Sequence, residues 1–231
     1  MIIPQVVMLG LLHVLCYNPS MKTMEAIKKL NGISAYQKGL FTSRQAKRLG
    51  VERYVLSRLE KGGSVERVAR GVYRMGGAPS LREEEVLAAW LSLDPEREPG
   101  APTDAARVPI AMGATSAWLQ QLGEVGPAPL EFCTAERKQT QRDGLTVRKR
   151  ALDDEDVVYA NGIPATSPAR TVLDLIDCGE DLSLVASVLR DALGRGAVAD
   201  VRRLAGEVNM RGKKAGIPEG ESLYKLMAES G

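Results

Sequence analysis

Residues 40–75 first carry apolar side chains at helical spacing and then alternate them with polar ones. Their sequence is LFTSRQAKRLGVERYVLSRLEKGGSVERVARGVYRM. A helix is predicted from about Glu52 to Lys61. At roughly 100° per residue, Val55, Leu56 and Leu59 fall on one of its faces, so this face is expected to pack and the opposite face to be exposed.

A shorter helix is predicted just before it. Thr42 is a suitable N-cap, and Gln45 three residues later completes a capping box. Ala46 and Leu49 face inward, and Gly50 ends the helix with a residue that is free to adopt positive φ. Two short helices joined by a tight turn are therefore expected.

Two strand-like runs follow the helices. Gly62 and Gly63 end the second helix, and SVERVAR and VYRM then alternate apolar and polar residues on either side of Gly71. A helix pair followed by a hairpin is typical of a winged helix-turn-helix, whose second helix enters the major groove of DNA.

The winged-helix segment is strongly basic, although the whole chain is not. Residues 22–75 contain 13 Lys and Arg against four Glu and no Asp, which is a net charge of +9. Residues 1–21 contain none of these residue types and the whole chain carries +2, so residues 76–231 carry −7. This asymmetry suggests that one part of the chain contacts nucleic acid.

Basic and polar side chains of this segment are the candidate DNA contacts. The outer face of the second helix is expected to read bases, the first helix and its N-terminus to hold phosphates, and the wing to follow the flanking minor groove. The predicted contacts of the second helix are Arg53, Tyr54, Ser57, Arg58 and Lys61. Those of the first helix and its N-terminus are Thr42, Ser43, Arg44, Lys47 and Arg48, and those of the wing are Arg67, Arg70 and Arg74. The alternatives are ordinary solvated charges or a winged helix that binds protein.

Residues 80–231 mix helical and strand-like patterns. Ser80 and Glu83 form a capping box for a helix through about Leu93, and residues 94–109 are expected to form a flexible loop. Asn161 and Gly162 lie between apolar runs and predict a hairpin. The remaining predicted elements are a helix at 115–122, the strands LEFCTA and LTVRKR, helices at about 168–177, 182–193 and 200–208, and a last helix to Ala228.

Residue types suited to catalysis or metal binding are sparse. His13 is the single histidine, which excludes a zinc finger. Cys16, Cys133 and Cys178 form no CxxC motif and are expected to be reduced thiols. The acids at 153–156 are consecutive, so they would point to opposite sides of a strand and are expected to form a solvated turn. No metal, cofactor or enzymatic activity is predicted.

Two stretches carry a resemblance to a known family. Residues 40–75 resemble the N-terminal winged helix of AbiEi-type antitoxins, from bacterial type IV toxin-antitoxin systems, in which a helix pair is followed by a segment like ERVARGVYRM. The stretch GIPATSPARTVLDLI, residues 162–176, is similar to the start of the helical part of their antitoxin domain. The two matches lie in the expected order, and with the intervening segments they cover roughly residues 24–208.

This resemblance implies a function. Members pair with a toxin of nucleotidyltransferase fold encoded alongside them, and they repress their own operon by binding repeats in the promoter. The resemblance therefore implies that this protein is a cytoplasmic antitoxin and repressor. Its expected partners are double-stranded promoter DNA and the toxin, and no membrane partner is expected. The alternatives are a winged-helix regulator with a ligand-sensing second domain and a nuclease with an attached DNA reader.

The expected fold class is α+β, with an N-terminal winged helix-turn-helix at 21–79 and a mixed α+β antitoxin domain at 80–231. Residues 1–20 are an apolar extension without a basic n-region or a clear cleavage site, and they are too short for a membrane span. Translation is expected to begin at Met21 or Met24, and the alternative is that residues 1–20 form an interfacial or packing helix.

Two charged features of the second domain remain. Arg170 begins a helix, where the dipole disfavours a cation, so a pairing with Asp174 four residues on is expected. A basic stretch is open to three interpretations: a second nucleic-acid surface, a toxin contact or a simple exposed hairpin. It comprises Arg137, Lys138, Arg142, Arg148, Lys149 and Arg150.

Overall fold

The computed structural model describes residues 19–97, 108–138, 140, 142–212 and 222–229. The chain divides into two compact units, of which the first comprises Met1–Pro79 and Pro95–Gly100 and the second comprises Ser80–Asp94 and Ala101–Gly231. The expected apolar extension lies almost wholly outside the described residues, as do His13 and Cys16. The domain bounds expected from the sequence, 21–79 and 80–231, stay predictions.

The first unit is a winged helix-turn-helix. Its elements are α1 (Pro19–Ser34), β1 (Leu40–Thr42), α2 (Ser43–Arg48), α3 (Arg53–Lys61), β2 (Val65–Ala69) and β3 (Val72–Met75). The three strands form an antiparallel sheet in the order β1-β3-β2. Helices α2 and α3 are the predicted pair, and the hairpin of β2 and β3 is the predicted wing.

The predicted apolar face of α3 is buried in the core of this unit. Val55, Leu56 and Leu59 are at most 6% exposed and pack with Phe41 and other apolar residues of α1, α2 and the sheet. The turn between α2 and α3 depends on Gly50, whose φ of +78° lies in the left-handed region that favours glycine. The sequence predicted both features, and both are confirmed.

The second unit is a mixed α+β domain. Its elements are α4 (Glu84–Leu93), β4 (Ile110–Ala111), α5 (Gly113–Leu119), β5 (Leu130–Thr134), β6 (Leu145–Lys149), β7 (Val157–Ala160), β8 (Ile163–Thr166), α6 (Pro168–Cys178), α7 (Leu182–Gly194), α8 (Val201–Gly212) and α9 (Leu223–Glu229). The sheet has the order β6-β5-β4-β8-β7. Helices α5 to α9 share a second apolar core, in which α7 contributes Val185, Val188 and Leu189. The expected α+β class is confirmed.

The predicted hairpin at Asn161 and Gly162 is confirmed. These two residues have φ values of 53° and 81° and join the antiparallel strands β7 and β8. Both central positions therefore have positive φ, as a two-residue type I′ turn requires.

One local prediction for the second unit is wrong, and one interpretation left open for the basic stretch is excluded. Helix α4 begins at Glu84 without a side-chain cap, and the Ser80 hydroxyl bonds to the Glu84 carboxylate instead, so the predicted capping box does not form. Strands β5 and β6 pair in parallel, which a simple hairpin cannot do. The ten residues between them form a longer connection instead.

A buried carboxylate joins α6 to the end of β6. Asp174 is fully buried, and its Oδ1 accepts a hydrogen bond of 2.9 Å from Nε of Arg170, which confirms the predicted pairing. Arg150, directly after β6, donates to the same oxygen. Two guanidinium groups thus offset part of the cost of burying this carboxylate, although its Oδ2 accepts no hydrogen bond and burial still raises the pKa of Asp174. The contact joins α6 to the end of β6.

We expect Asp174→Ala to destabilise the second unit by about 3 kcal/mol, because removing one partner of a buried ion pair leaves the other charges poorly compensated. Both tryptophans, Trp90 and Trp118, lie in this unit, so urea unfolding followed by tryptophan fluorescence measures it. The control is Glu155→Ala, which removes an exposed pair with Arg203 and should cost at most about 1 kcal/mol. Equal costs would contradict the role of Asp174.

Candidate nucleic-acid interface

The outward face of α3 presents the side chains that were predicted to read bases. Arg53, Tyr54, Ser57 and Lys61 are all exposed, and Tyr54 is 59% exposed although it is a large aromatic residue. The flanking Arg58 is also exposed and donates a hydrogen bond of 2.8 Å to the Thr23 hydroxyl of α1. The packing of α3 therefore leaves a continuous polar and aromatic face open to a ligand.

The predicted phosphate contacts of α2 divide into two groups. Arg44, Lys47 and Arg48 are exposed, and Ser43 is half-buried. Thr42 is fully buried, and its hydroxyl both accepts from the backbone amide of Gln45 and donates to the carbonyl of Pro95. In this arrangement the Thr42 hydroxyl is already occupied and does not reach the surface, in contrast to the expectation from sequence.

Gln45 connects the start of α2 to its surroundings. The predicted capping box is confirmed, because the Thr42 amide donates to Gln45 Oε1 at 2.8 Å. The Gln45 side chain also forms a reciprocal amide pair with Gln37, at 2.8 and 3.1 Å. Its remaining N–H donates to the carbonyl of Arg97 at 2.8 Å. All four hydrogen-bonding positions of this buried amide are thus satisfied.

The wing is anchored to α2. The amide of Ser43 donates a hydrogen bond of 2.8 Å to the carbonyl of Gly71 at the tip of the hairpin. Arg67 and Arg70 are exposed, as a contact with DNA requires. The Arg74 side chain is only 13% exposed and forms an ion pair with Glu66 on the neighbouring strand. It therefore connects the two strands of the hairpin, in contrast to the expected contact with DNA.

One participant in this surface was missed by sequence reasoning. Pro95, Glu96 and Arg97, which we call the strap, were expected to belong to a flexible loop, yet they lie against α2. The Glu96 carboxylate accepts a hydrogen bond from Arg44, and the Glu96 carbonyl accepts one of 2.7 Å from Arg48. The strap has no apolar periodicity, so no local signal in the sequence could have placed it there.

The basic stretch of the second unit is only partly available to a partner. Arg148 pairs with Glu131 at 3.0 Å, and Arg150 pairs with Asp174. Arg137, Lys138 and Lys149 line a shallow groove of about 530 Å³ beside β6. The parallel pairing of β5 and β6 excludes the simple hairpin as an interpretation of this basic stretch. A second nucleic-acid surface and a toxin contact both stay predictions.

The remaining reactive groups are accounted for structurally. The acids at 153–156 form a short helical turn, mostly exposed, in which Glu155 binds Arg203 at 2.7 Å. Burial raises the pKa of Cys133 to about 12, so this thiol stays protonated and serves as a packing residue. Within the described residues, no group of three or more His, Cys, Asp or Glu side chains could hold a metal ion.

Comparison with protein families agrees with both halves of this architecture. Residues 34–76 match a family described as transcriptional regulator, AbiEi antitoxin, and residues 87–215 match the AbiEi antitoxin C-terminal domain. The second match alone covers more than half of the chain. The protein belongs to the AbiEi antitoxin family. The first match spans the helix-turn-helix and wing, and the second spans the sheet and helices α5 to α8.

Other comparisons add little to the AbiEi assignment. No curated protein matches the sequence significantly. The crystal structure of the RV2827C protein from Mycobacterium tuberculosis aligns with 89% of this chain and 81% of its own, at 15% identity and a TM-score of 0.43. Among the helices in the described part of this AbiEi protein, none is both long and apolar enough to span a membrane.

We expect Gln45→Ala to destabilise the AbiEi winged helix by about 1–3 kcal/mol, because it leaves the buried amide of Gln37 without its partner and removes half of the capping box. Hydrogen exchange of the amides in β1 and α2 measures this loss as faster exchange. Lys47→Ala on the same helix is the control, since an exposed substitution should stay within about 0.5 kcal/mol. If both variants exchanged alike, the network would not stabilise this unit.

Proposed function

We propose that this protein is the antitoxin of a type IV toxin-antitoxin system and also represses its own operon. In this proposal, α3 and the wing bind double-stranded promoter DNA, and the protein counteracts a nucleotidyltransferase-like toxin in the cytoplasm. It has no catalytic role of its own. The observation that carries the DNA-binding part is the exposed polar face of α3 within a segment of net charge +9.

The chemistry of this face suits DNA recognition. A helix fits the major groove, where Arg and Lys donate to guanine, and Ser can bond to several bases. Arg53, Ser57 and Lys61 offer these donors from one side of α3. The exposed cations of α2 and the wing extend the positive surface to either side, where they would neutralise phosphates and make the affinity depend on salt.

The antitoxin part of the proposal is supported by the second unit. Residues 87–215 match the AbiEi antitoxin C-terminal domain, and residues 76–231 carry a net charge of −7. Phosphates repel an acidic domain, so this part of the chain is poorly suited to non-specific DNA binding. We therefore assign neutralisation of the toxin to the second unit and operator binding to the first.

We expect Arg53→Ala to cost about 1–3 kcal/mol of binding to promoter DNA and to relax the sequence preference, because it removes a donor to a base edge. Lys47→Ala and Arg70→Ala should instead weaken binding to promoter and random DNA alike and reduce the salt slope by about one unit each. Gel-shift titrations with both DNAs at two salt concentrations distinguish these effects. Uniform losses for all three variants would contradict the assigned roles.

We expect the full-length double variant Arg53→Ala, Lys61→Ala to lose repression but still relieve toxicity, because its second unit is unchanged. A promoter reporter and growth rescue, measured in one strain that expresses the neighbouring toxin gene, test this expectation. Joint loss of both activities in a stably folded variant would show that they are not divided between the units. If the unaltered protein failed to rescue growth, the antitoxin proposal would be wrong.

A further inference from the structure

We propose that the strap, Pro95–Arg97, is an autoinhibitory element that competes with DNA for the basic side chains of α2. The inference rests on the proposed binding of DNA by the winged helix. In the closed arrangement the strap occupies Arg44 and Arg48, and its displacement makes these two residues available to phosphates.

All three residues of the strap bind α2 or its N-cap. The carbonyls of Pro95, Glu96 and Arg97 accept hydrogen bonds from the N-cap Thr42, from Arg48 and from Gln45, respectively. The Glu96 carboxylate accepts a fourth bond, from Arg44. The strap is therefore held by directional hydrogen bonds along its whole length.

The Glu96 carboxylate carries the same sign of charge as the phosphate that it would exclude. A carboxylate bound to Arg44 satisfies the same guanidinium donors that bind phosphate. It also places a negative charge at the surface that DNA must approach, and phosphates are repelled by it. Arg44 and Arg48 are four residues apart and lie on the same side of α2, so Glu96 engages both at once, through its side chain and its carbonyl.

The contact combines an exposed ion pair with two hydrogen bonds from the buried side chains of Thr42 and Gln45, so DNA must offset the loss of all three to displace the strap. The side chains of Arg44 and Glu96 are 64% and 59% exposed, so solvent and salt screen their attraction. The strap also follows α4 after a single residue, Asp94, and is thus covalently continuous with the second unit.

The experiment compares Glu96→Gln with Glu25→Gln in the full-length protein. Both variants remove one negative charge from the first unit, and Glu25 is an exposed residue that pairs with Lys29 on α1. Fluorescence anisotropy with a labelled promoter fragment gives the dissociation constant of each variant. We expect Glu96→Gln to bind about two- to fivefold more tightly than Glu25→Gln, as the loss of an exposed ion pair allows.

Hydrogen exchange provides a second measurement that does not depend on substitution. When promoter DNA is added to the unaltered protein, the side-chain amide protons of Gln45, one of which is bonded to the Arg97 carbonyl, should exchange faster, as NMR measures, while the backbone amides of α3 exchange more slowly. DNA binding without faster exchange of the Gln45 side chain, or equal affinities of the two glutamate variants, would overturn the autoinhibitory role alone. If neither the unaltered protein nor Glu96→Gln bound DNA, the proposed DNA-binding function would fail, and this inference with it.

Discussion

The buried side chain of Gln45 is the constraint on which the winged helix depends. An amide has two donors and two acceptor positions, and leaving one of them unsatisfied in the interior costs about 1–3 kcal/mol. Here the partners come from three separate segments: Gln37 before β1, Thr42 at the start of α2, and Arg97 in the strap. Only one relative placement of these segments satisfies them all, so the amide fixes where α2 begins.

The placement of α2 in turn determines the surface offered to DNA. The turn at Gly50 connects α2 to α3, and Val55, Leu56 and Leu59 fix the rotation of α3 about its axis by burying one side. The burial of these three side chains is by itself enough to leave the opposite side of α3 exposed. The face that we propose to read DNA is thus the part of α3 left exposed once its apolar side is packed, and the polar residues on it supply the hydrogen-bonding groups.

The features that could be predicted from the sequence are those that depend on residues close together in the chain. The capping box spans three residues, and the turn at Asn161 and Gly162 spans two, so propensity and spacing suffice for both. The contact of Arg150 with Asp174 joins residues 24 apart, and the strap meets α2 across about 50 residues. The sequence offers many arginines that could pair with Asp174 or Glu96, so only the tertiary structure determines which of them do.

This long-range contact also explains how a weak interaction can regulate a strong one. Two separate molecules joined only by an exposed ion pair would hardly associate, because solvent screens the attraction. The strap is part of the same chain, so its contact with α2 is intramolecular and does not depend on the protein concentration. Glu96 is consequently always present as a competitor, whereas DNA must be bound from solution. If the protein binds an operator as proposed, a modest competition at Arg44 and Arg48 changes its occupancy without altering the exposed face of α3.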